Sequence, residues 1–522
     1  MTSRPSFCHR DESAGPGRAR ERPSALAALL LWAGLLVAAG PAAAQVADDE
    51  AVAEALEVAR VWLDAQMAYE QIPGASAAIV HDQELVWSAA MGLAHPDSGV
   101  PATTETLYSI CSISKLFTAI AVMQLRDRGR LTLRDPLEKH LPWYAVEQRW
   151  EGSPPVTIEG LLTHSSGLPR ESNHPYWTGP DFPFPTEDEV IAGLREQETL
   201  YPARRYFQYS NLGLTLAGEI IEELSGMEYD EYVRQNILDP LSLSNTYPEI
   251  PLEQRGKRLA TGYSAPTRAG EREAVALFQA KGIAPAAGFA STSEDLARFA
   301  SWQFRLTGDR EEVLHAHTLD EMHRVHYVDP SFNTFWGLGF SVRRSDGETF
   351  VGHGGSCPGF RSQLQMQTDD KIATVFMANA MVSAGTYTSG LYELVADAIK
   401  SAAADGEHHG DGQETELAFG PSHDEPDLTP YLGTYSAQPW GSESAAVRWK
   451  GGLALLSLPT GDPTQALTRL GHDEGDVFYV IRSDGERGHD VIFHRSAAGD
   501  VESYSQHGNH SPRIADPAGR AP

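Results

Sequence analysis

Residues 111–115 read Cys111-Ser112-Ile113-Ser114-Lys115, with Leu116, Phe117, Ile120 and Ala121 close behind. This apolar spacing predicts a helix from about Ser114 to Arg128, with Gly129 where such a helix would stop. Ser112 and Lys115 lie three apart at its start, so both face the same side. A serine hydroxyl is a weak nucleophile until a base removes its proton. A lysine serves as that base only when burial or neighbouring positive charge lowers its pKa. The apolar residues behind Lys115 suit a buried position, and a helix N-terminus supplies N–H groups for a developing oxyanion. Ser-x-x-Lys alone is a weak pattern. Scarcity strengthens it: of the seven lysines in the chain, only Lys115 has a serine three residues before it.

Downstream lie Tyr209-Ser210-Asn211 and His353-Gly354-Gly355, with the flanks Leu161-Leu162-Thr163-His164-Ser165-Ser166-Gly167-Leu168-Pro169 and Gly288-Phe289-Ala290-Ser291-Thr292 leading to Asp295-Leu296. With these in order, the chain resembles the serine β-lactamase and penicillin-binding protein superfamily, in its class C-like branch of esterases, D-aminopeptidases and amidases. The resemblance covers about residues 50–400. It implies that Ser112 is the acylated nucleophile and that Lys115 and Tyr209 share its proton. Which of the two is the base stays open, because such a pair titrates together. It further implies that Asn211 orients Lys115 and the substrate carbonyl, and that the backbone N–H groups of Ser112 and Ser356 form the oxyanion hole. His353 stands where a β-lactamase has lysine, with Gly354 and Gly355 beside the substrate.

That third motif departs from the β-lactamase pattern: the permanent charge and the hydroxyl that grip a substrate carboxylate are both missing. A protonated histidine holds a carboxylate less well at neutral pH, and Arg361 is the nearby candidate to compensate. Cys111 and Cys357 flank the nucleophile and the His-Gly-Gly motif. Some class A carbapenem-hydrolysing β-lactamases carry a disulfide at the matching positions, which implies a Cys111–Cys357 bridge; two buried free thiols are the alternative. His164 is expected to hold the turn that follows it. The stretch 170–186, with His174, Tyr176, Trp177, Phe182 and Phe184 among Pro and Gly, would either line an acyl pocket or pack on the helical lobe.

The remaining chain fits this frame. A chain of 522 residues has room for two or three domains, and with 41% apolar residues and 3 Cys it is neither disordered nor a disulfide-stapled scaffold. The net charge of −30 repels phosphate backbones and argues against nucleic-acid binding. Arg18, Arg20 and Arg22 precede an apolar run Ala25–Ala39, and Ala42-Ala43-Ala44 offers a cleavage site before Gln45. Residues 1–44 therefore read as a signal peptide for secretion or delivery to the periplasm, the alternative being an uncleaved anchor. No later stretch is apolar enough to span a bilayer.

A helix is expected over 49–70, strands over Ala75–Val80 and Leu85–Met91, then a helix-rich middle at about 130–300. Strands follow at Phe335–Val342, Thr349–Gly352, Phe360–Gln367 and Ile372–Met377, with a closing helix from about Tyr387 to Ala402. The expected fold class is α/β (α+β): an antiparallel sheet flanked by helices with an inserted helical lobe over 45–400. An acidic linker at 401–426 would then lead to a small β-barrel-like domain at 427–516, which is similar to a lipocalin-like tail. Its short runs are Ala446–Trp449, Leu453–Ser457, Val477–Ile481 and Val491–His494. The expected activity is hydrolysis of an ester or amide in a small-molecule or peptide-like substrate, without metal or organic cofactor. A β-lactamase or D-Ala-D-Ala peptidase, and a binding protein that has lost turnover, are the competing assignments. The partner of the tail domain is open.

Overall fold

The computed structural model describes residues 46–408 and 426–515, apart from 346, 439–441, 483 and 508. The expected signal peptide and most of the expected linker lie outside the described residues. The helices are α1 (Glu50–Tyr69), α2 (Ser114–Asp127), α3 (Ile158–Leu162), α4 (Glu187–Gly193), α5 (Asn211–Ser225), α6 (Tyr229–Val233), α7 (Ala284–Ala287), α8 (Ser293–Arg305), α9 (Ala316–His323) and α10 (Ala384–His408). No helix among the described residues is long and apolar enough to cross a membrane.

The strands of the main sheet are β1 (Gly74–His81), β2 (Glu84–His95), β3 (Val100–Pro101), β6 (Tyr327–Val328), β7 (Phe335–Trp336), β8 (Ser341–Ser345), β9 (Glu348–Cys357), β10 (Phe360–Gln367) and β11 (Ile372–Ala378). A separate small pair joins β4 (Tyr108–Ser109) to β5 (Ala290–Ser291). The main order is β3-β2-β1-β11-β10-β9-β8-β7-β6, antiparallel throughout. Thus β1 and β11 pair from Ala75↔Ala378 to His81↔Ile372, and the sheet is completed by strands from both ends of the segment. Helices α1 and α10 cover one face, α8 and α2 the other. Each boundary follows local chemistry. Asp49 caps α1 by accepting the Ala51 and Val52 N–H groups at 2.9 and 3.2 Å. Asp82 takes φ 47° in the two-residue turn between β1 and β2.

Two expectations are corrected. Phe335–Val342 is not one strand but the hairpin arms β7 and β8. The chain turns at Gly337 and Gly339: a Cβ at 337 would sit 2.2 Å from Met322 O, and Gly339 has φ +85° against Ala119. The closing helix starts three residues earlier and continues to His408, into the stretch expected as linker, because Ala402-Ala403-Ala404 favour helix.

The C-terminal strands β12 (Gly433–Ser436), β13 (Glu443–Trp449), β14 (Gly452–Leu458), β15 (Leu467–His472), β16 (Val477–Ile481), β17 (Arg487–Arg495), β18 (Val501–Gln506) and β19 (Asn509–Pro512) pair in chain order as one antiparallel sheet. A bridge between Tyr435 and Arg513, and the Ile514 N–H on Thr434 O at 2.9 Å, bring its ends together into a nearly closed barrel. Its interior holds Tyr431, Tyr435, Phe478, Val491, Phe493 and Tyr504. Ala445, Val447, Ala454 and Leu456 face outward and join the cluster around α1 and α10. Trp62 is the centre of this joint. It is fully buried, packs 5.8 Å from Tyr387, and donates its indole N–H to Thr460 O at 2.9 Å.

Cys111 and Cys357 are joined as a disulfide, with their Cα atoms 5.8 Å apart. A chain lacking residues 1–44 should therefore show no free thiol when unfolded without reductant; two thiols in that titration would overturn the bridge. Trp62→Ala should cost about 3–5 kcal/mol, read as a lowered calorimetric midpoint. A midpoint equal to the parent's would show that the barrel does not lean on α1.

Candidate active site

The site begins at a strained turn. Ile110 N–H bonds Phe289 O at 2.9 Å, Cys111 adopts φ 49°, and a single 3-10 turn Cys111–Ile113 runs into α2. A non-glycine residue in that conformation costs energy and persists only when its surroundings over-determine it. Here the surroundings do. The disulfide ties Cys111 to the end of β9, Ser362 Oγ donates to Ile110 O at 3.1 Å, and Ser114 Oγ accepts the Phe289 N–H at 3.1 Å. Gly355 allows the approach: a Cβ there would lie 2.2 Å from Ile110 O.

Lys115 is wholly buried within the first turn of α2. Its Nζ lies 3.2 Å from Ser112 Oγ, 2.8 Å from Asn211 Oδ1 and 2.7 Å from Ala286 O. Burial drives its pKa well below the usual lysine range; the Glu171 carboxylate opposes this and the Arg170 guanidinium adds to it. A neutral amine at this distance can take the serine proton. Tyr209 hydrogen-bonds the Ser112 side chain, and burial pushes its phenol up, so it is a proton donor in the resting protein. Lys115 Nζ and Arg170 Cζ each lie 4.9 Å from the Tyr209 ring centroid, and the His164 ring packs on it at 4.2 Å.

Asn211 opens α5 and spans two partners: its Oδ1 accepts from Lys115, and its Nδ2 donates to Glu171 at 2.8 and 2.9 Å. Glu171 also accepts from Tyr176 and pairs with Arg170 at 3.1 Å. A continuous chain therefore runs Glu171–Asn211–Lys115–Ser112. Glu171 escapes sequence reasoning; its only signal is a carboxylate two residues after the Gly167-Leu168-Pro169 flank, at the head of the aromatic loop. That loop packs inward. Tyr176, Trp177, Phe182 and Phe184 interlock with Phe278 at centroid distances of 4.9–6.0 Å. His164 accepts the Ser210 N–H on Nδ1 at 3.1 Å and so holds the Tyr209 segment more directly than the turn after it.

Strand β9 forms the opposite wall. His353 Nδ1 lies 2.7 Å from Gly354 O, which can only accept, so Nδ1 carries the proton and Nε2 is an acceptor. Nε2 is buried without a partner in the protein, as is the indole N–H of Trp336, whose ring stands 5.5 Å from His353 and 5.1 Å from His164. Burial, then Lys115, pushes the His353 imidazole down to about 3, so it is neutral at physiological pH. The pairing of β9 with β10 runs Cys357↔Phe360, Ser356↔Arg361, Gly355↔Ser362. Antiparallel alternation then turns the backbone groups of Gly354 and Ser356 toward the edge that β8, ending opposite Gly352, leaves uncovered. The same alternation sends Arg361 to the sheet face packed by α10, opposite to His353 and Ser362. Arg361 is thus the expected substrate contact that the fold does not bring to the Ser112 cluster.

Among the described residues, one carboxylate group could together hold a cation: Glu187, Glu219 and Glu222 on the helical lobe. Burial and repulsion from neighbouring carboxylates push Glu219 up to about 9 and Glu222 up to about 7.

Known proteins agree with this architecture. The beta-lactamase family profile matches residues 59–397. The chain is 32% identical over 173 residues to beta-lactamase-like protein 2 of Dictyostelium discoideum, spanning 33% of this chain and 32% of that protein. It is 27% identical to an unguisins hydrolase of Aspergillus campestris, over 62% of each chain. It is also 27% identical to penicillin-binding protein 4 of Amycolatopsis lactamdurans, over 64% of this chain and 88% of the other. The first two matches thus cover less than two thirds of those relatives' length. Among solved structures, the octameric penicillin-binding protein homologue of Pyrococcus abyssi superposes with a TM-score of 0.56 at 24% identity, covering 87% of this chain and 99% of that one. A D-stereospecific amidohydrolase of Streptomyces gives 0.53 at 26% identity, over 62% and 94%. By fold, motif order and family match over most of its length, the chain belongs to the beta-lactamase family.

Proposed function

We infer that the protein is an exported serine hydrolase that cleaves a neutral ester or amide through a Ser112 acyl-enzyme. The observation that carries this is the buried Lys115 amine, its pKa driven down, 3.2 Å from Ser112 Oγ. Lys115 takes the serine proton as Oγ attacks the carbonyl carbon. The Ser112 and Ser356 N–H groups receive the oxyanion. Tyr209 gives its proton to the departing oxygen or nitrogen, and the proton held by Lys115 returns to Tyr209. Water then repeats the sequence on the acyl-enzyme and releases the acid and Ser112. The apolar N-terminus and the disulfide support export to an oxidising compartment.

The neutral state of His353 argues for an uncharged substrate at the third motif. Its Nε2 offers an acceptor to a substrate N–H or O–H where a β-lactamase offers a cation, and Arg361 stands on the other sheet face. Similarity to a penicillin-binding protein and to a D-stereospecific amidohydrolase supports the second assignment, a peptidase acting on D-amino-acid amides. Fast cephalosporin turnover would reverse this ranking.

Ser112→Ala should lower turnover of a short nitrophenyl ester by about 10³-fold or more, with a cephalosporin left intact by both proteins. Residual ester turnover equal to the parent's would remove Ser112 from the mechanism. The flanking charges give a test with opposite signs. Glu171 raises the Lys115 pKa and Arg170 lowers it. Glu171→Gln should therefore move the acidic limb of kcat/KM to lower pH, and Arg170→Gln should move it to higher pH. The Arg170 shift should shrink with salt, since that side chain is 59% exposed. Glu171→Gln should also lower kcat by about tenfold, the loss of one charge-assisted hydrogen bond. Limbs that stay fixed in both variants would remove Lys115 as the base.

A further inference from the structure

A cavity of about 510 Å³ lies on the α10 side of the sheet, behind β9 and away from Ser112. It is an open cleft lined by the polar residues Arg343, Gln363 and Gln365, by the first turn of α10 and by Gly461 of the barrel. That volume falls within the roughly 300–1,000 Å³ of small-molecule sites. Its donors converge. Arg343 is fixed by a 3.0 Å bond to Gln365 Oε1 and by stacking 4.7 Å over Phe350. Gln365 is 6% exposed; its Oε1 also accepts from Ser389 at 3.4 Å, while its Nε2 is buried with no partner in the protein. A buried amide N–H₂ without an acceptor is costly, and one lining a cavity is poised for a ligand carbonyl or carboxylate. Gly385, in the first turn of α10, brings the positive end of a 25-residue helix to the wall, while the Thr386 N–H is taken by Ser383 O at 3.0 Å.

We propose that this cavity is a second ligand site, which binds a small organic monocarboxylate carrying an amide carbonyl, chemically an N-acyl amino acid. The carboxylate meets Arg343 and the α10 N-terminus, and the carbonyl accepts from Gln365 Nε2. Multiply charged anions are disfavoured by Glu348 and Glu393, which line a smaller recess of about 180 Å³ that shares Arg343 and Gln365. Glu348 is itself paired with Lys400 at 3.1 Å. The site touches the catalytic wall from behind: a Cβ on Gly354 would lie 2.6 Å from Gln363 Oε1, so a ligand against Gln363 bears on the strand that carries His353 and Ser356. The chemistry of a ligand acting here is that of an amidase product or its analogue, but the site does not depend on Ser112.

The test uses the whole protein with Ser112 blocked by a serine-directed phosphonate, titrated calorimetrically with N-acetylalanine. One saturable site is expected. Arg343→Met, Gln365→Leu, and replacement of the probe's carboxylate by a carboxamide should each weaken binding by about tenfold or more. Gly461→Phe, which leaves every donor in place and fills the cavity from the barrel loop, should abolish it. No saturable binding below about 10 mM, or an affinity that none of the three variants moves, overturns the proposal. Inorganic phosphate binding as tightly as N-acetylalanine, unaffected by Gln365→Leu, would reduce the cavity to a bare anion site and overturn the ligand class. Failure of the phosphonate to label Ser112 would count against the acyl-enzyme reading alone, because the variants still report on the cavity.

Discussion

Much of this structure follows from enclosing one amine. A lysine head group in the protein interior is very costly as a cation and tolerable as a neutral base with its hydrogen bonds satisfied. Lys115 is driven toward that state because α2 is buried from Ser114 to Leu125 between the sheet and the helical lobe. The sheet supplies the wall at β9, the lobe supplies Asn211 and Ala286, and neither alone excludes water. Stability and chemistry are therefore set by the same contacts. The left-handed Cys111 is the visible strain of that arrangement, and the clamp formed by Gly355, Ser362 and the disulfide holds it in place.

The third motif shows how a small change in one strand redirects such a site. Lysine at this position would add a cation beside Lys115 and depress its pKa further. A histidine that spends its proton on the neighbouring carbonyl adds none, and its other nitrogen is left as a buried acceptor without a partner in the protein. The barrel plays a different part. Its outward Ala445, Val447 and Leu456 complete the core that α1 and α10 begin, so it is packed as a continuation of the beta-lactamase-family unit.

What the sequence discloses follows what the physics makes local. Ser112 with Lys115, and Tyr209 with Asn211, are spaced by a helix turn and by a helix start, so their types and intervals are legible. The early and late strands are legible too, because β1 and β11 are continuous apolar runs, as strands buried on both faces must be. Glu171 is not, since its place at the site rests on contacts with Asn211, 40 positions away, and on its proximity to Lys115. Arg361 misleads because proximity to the motif says nothing of side; only the register of β10 fixes that. The turn at Gly337–Gly339 and the strands β15, β18 and β19 carry too few large apolar residues to announce themselves, and they form because neighbouring strands offer them partners.

The pairing of β1 with β11 has a consequence for how the molecule is made. β1, third of the nine strands and interior to the sheet, is synthesised near the beginning, and its partner near residue 372. At roughly 5–20 residues per second, the ribosome leaves β1 and β2 as an open two-stranded ribbon for about 15–60 s. Such a ribbon is marginal alone and exposes an apolar edge. The β1 edge thus stays without its partner through most of synthesis, and the sheet can close only once β11, in the last third of the chain, has emerged.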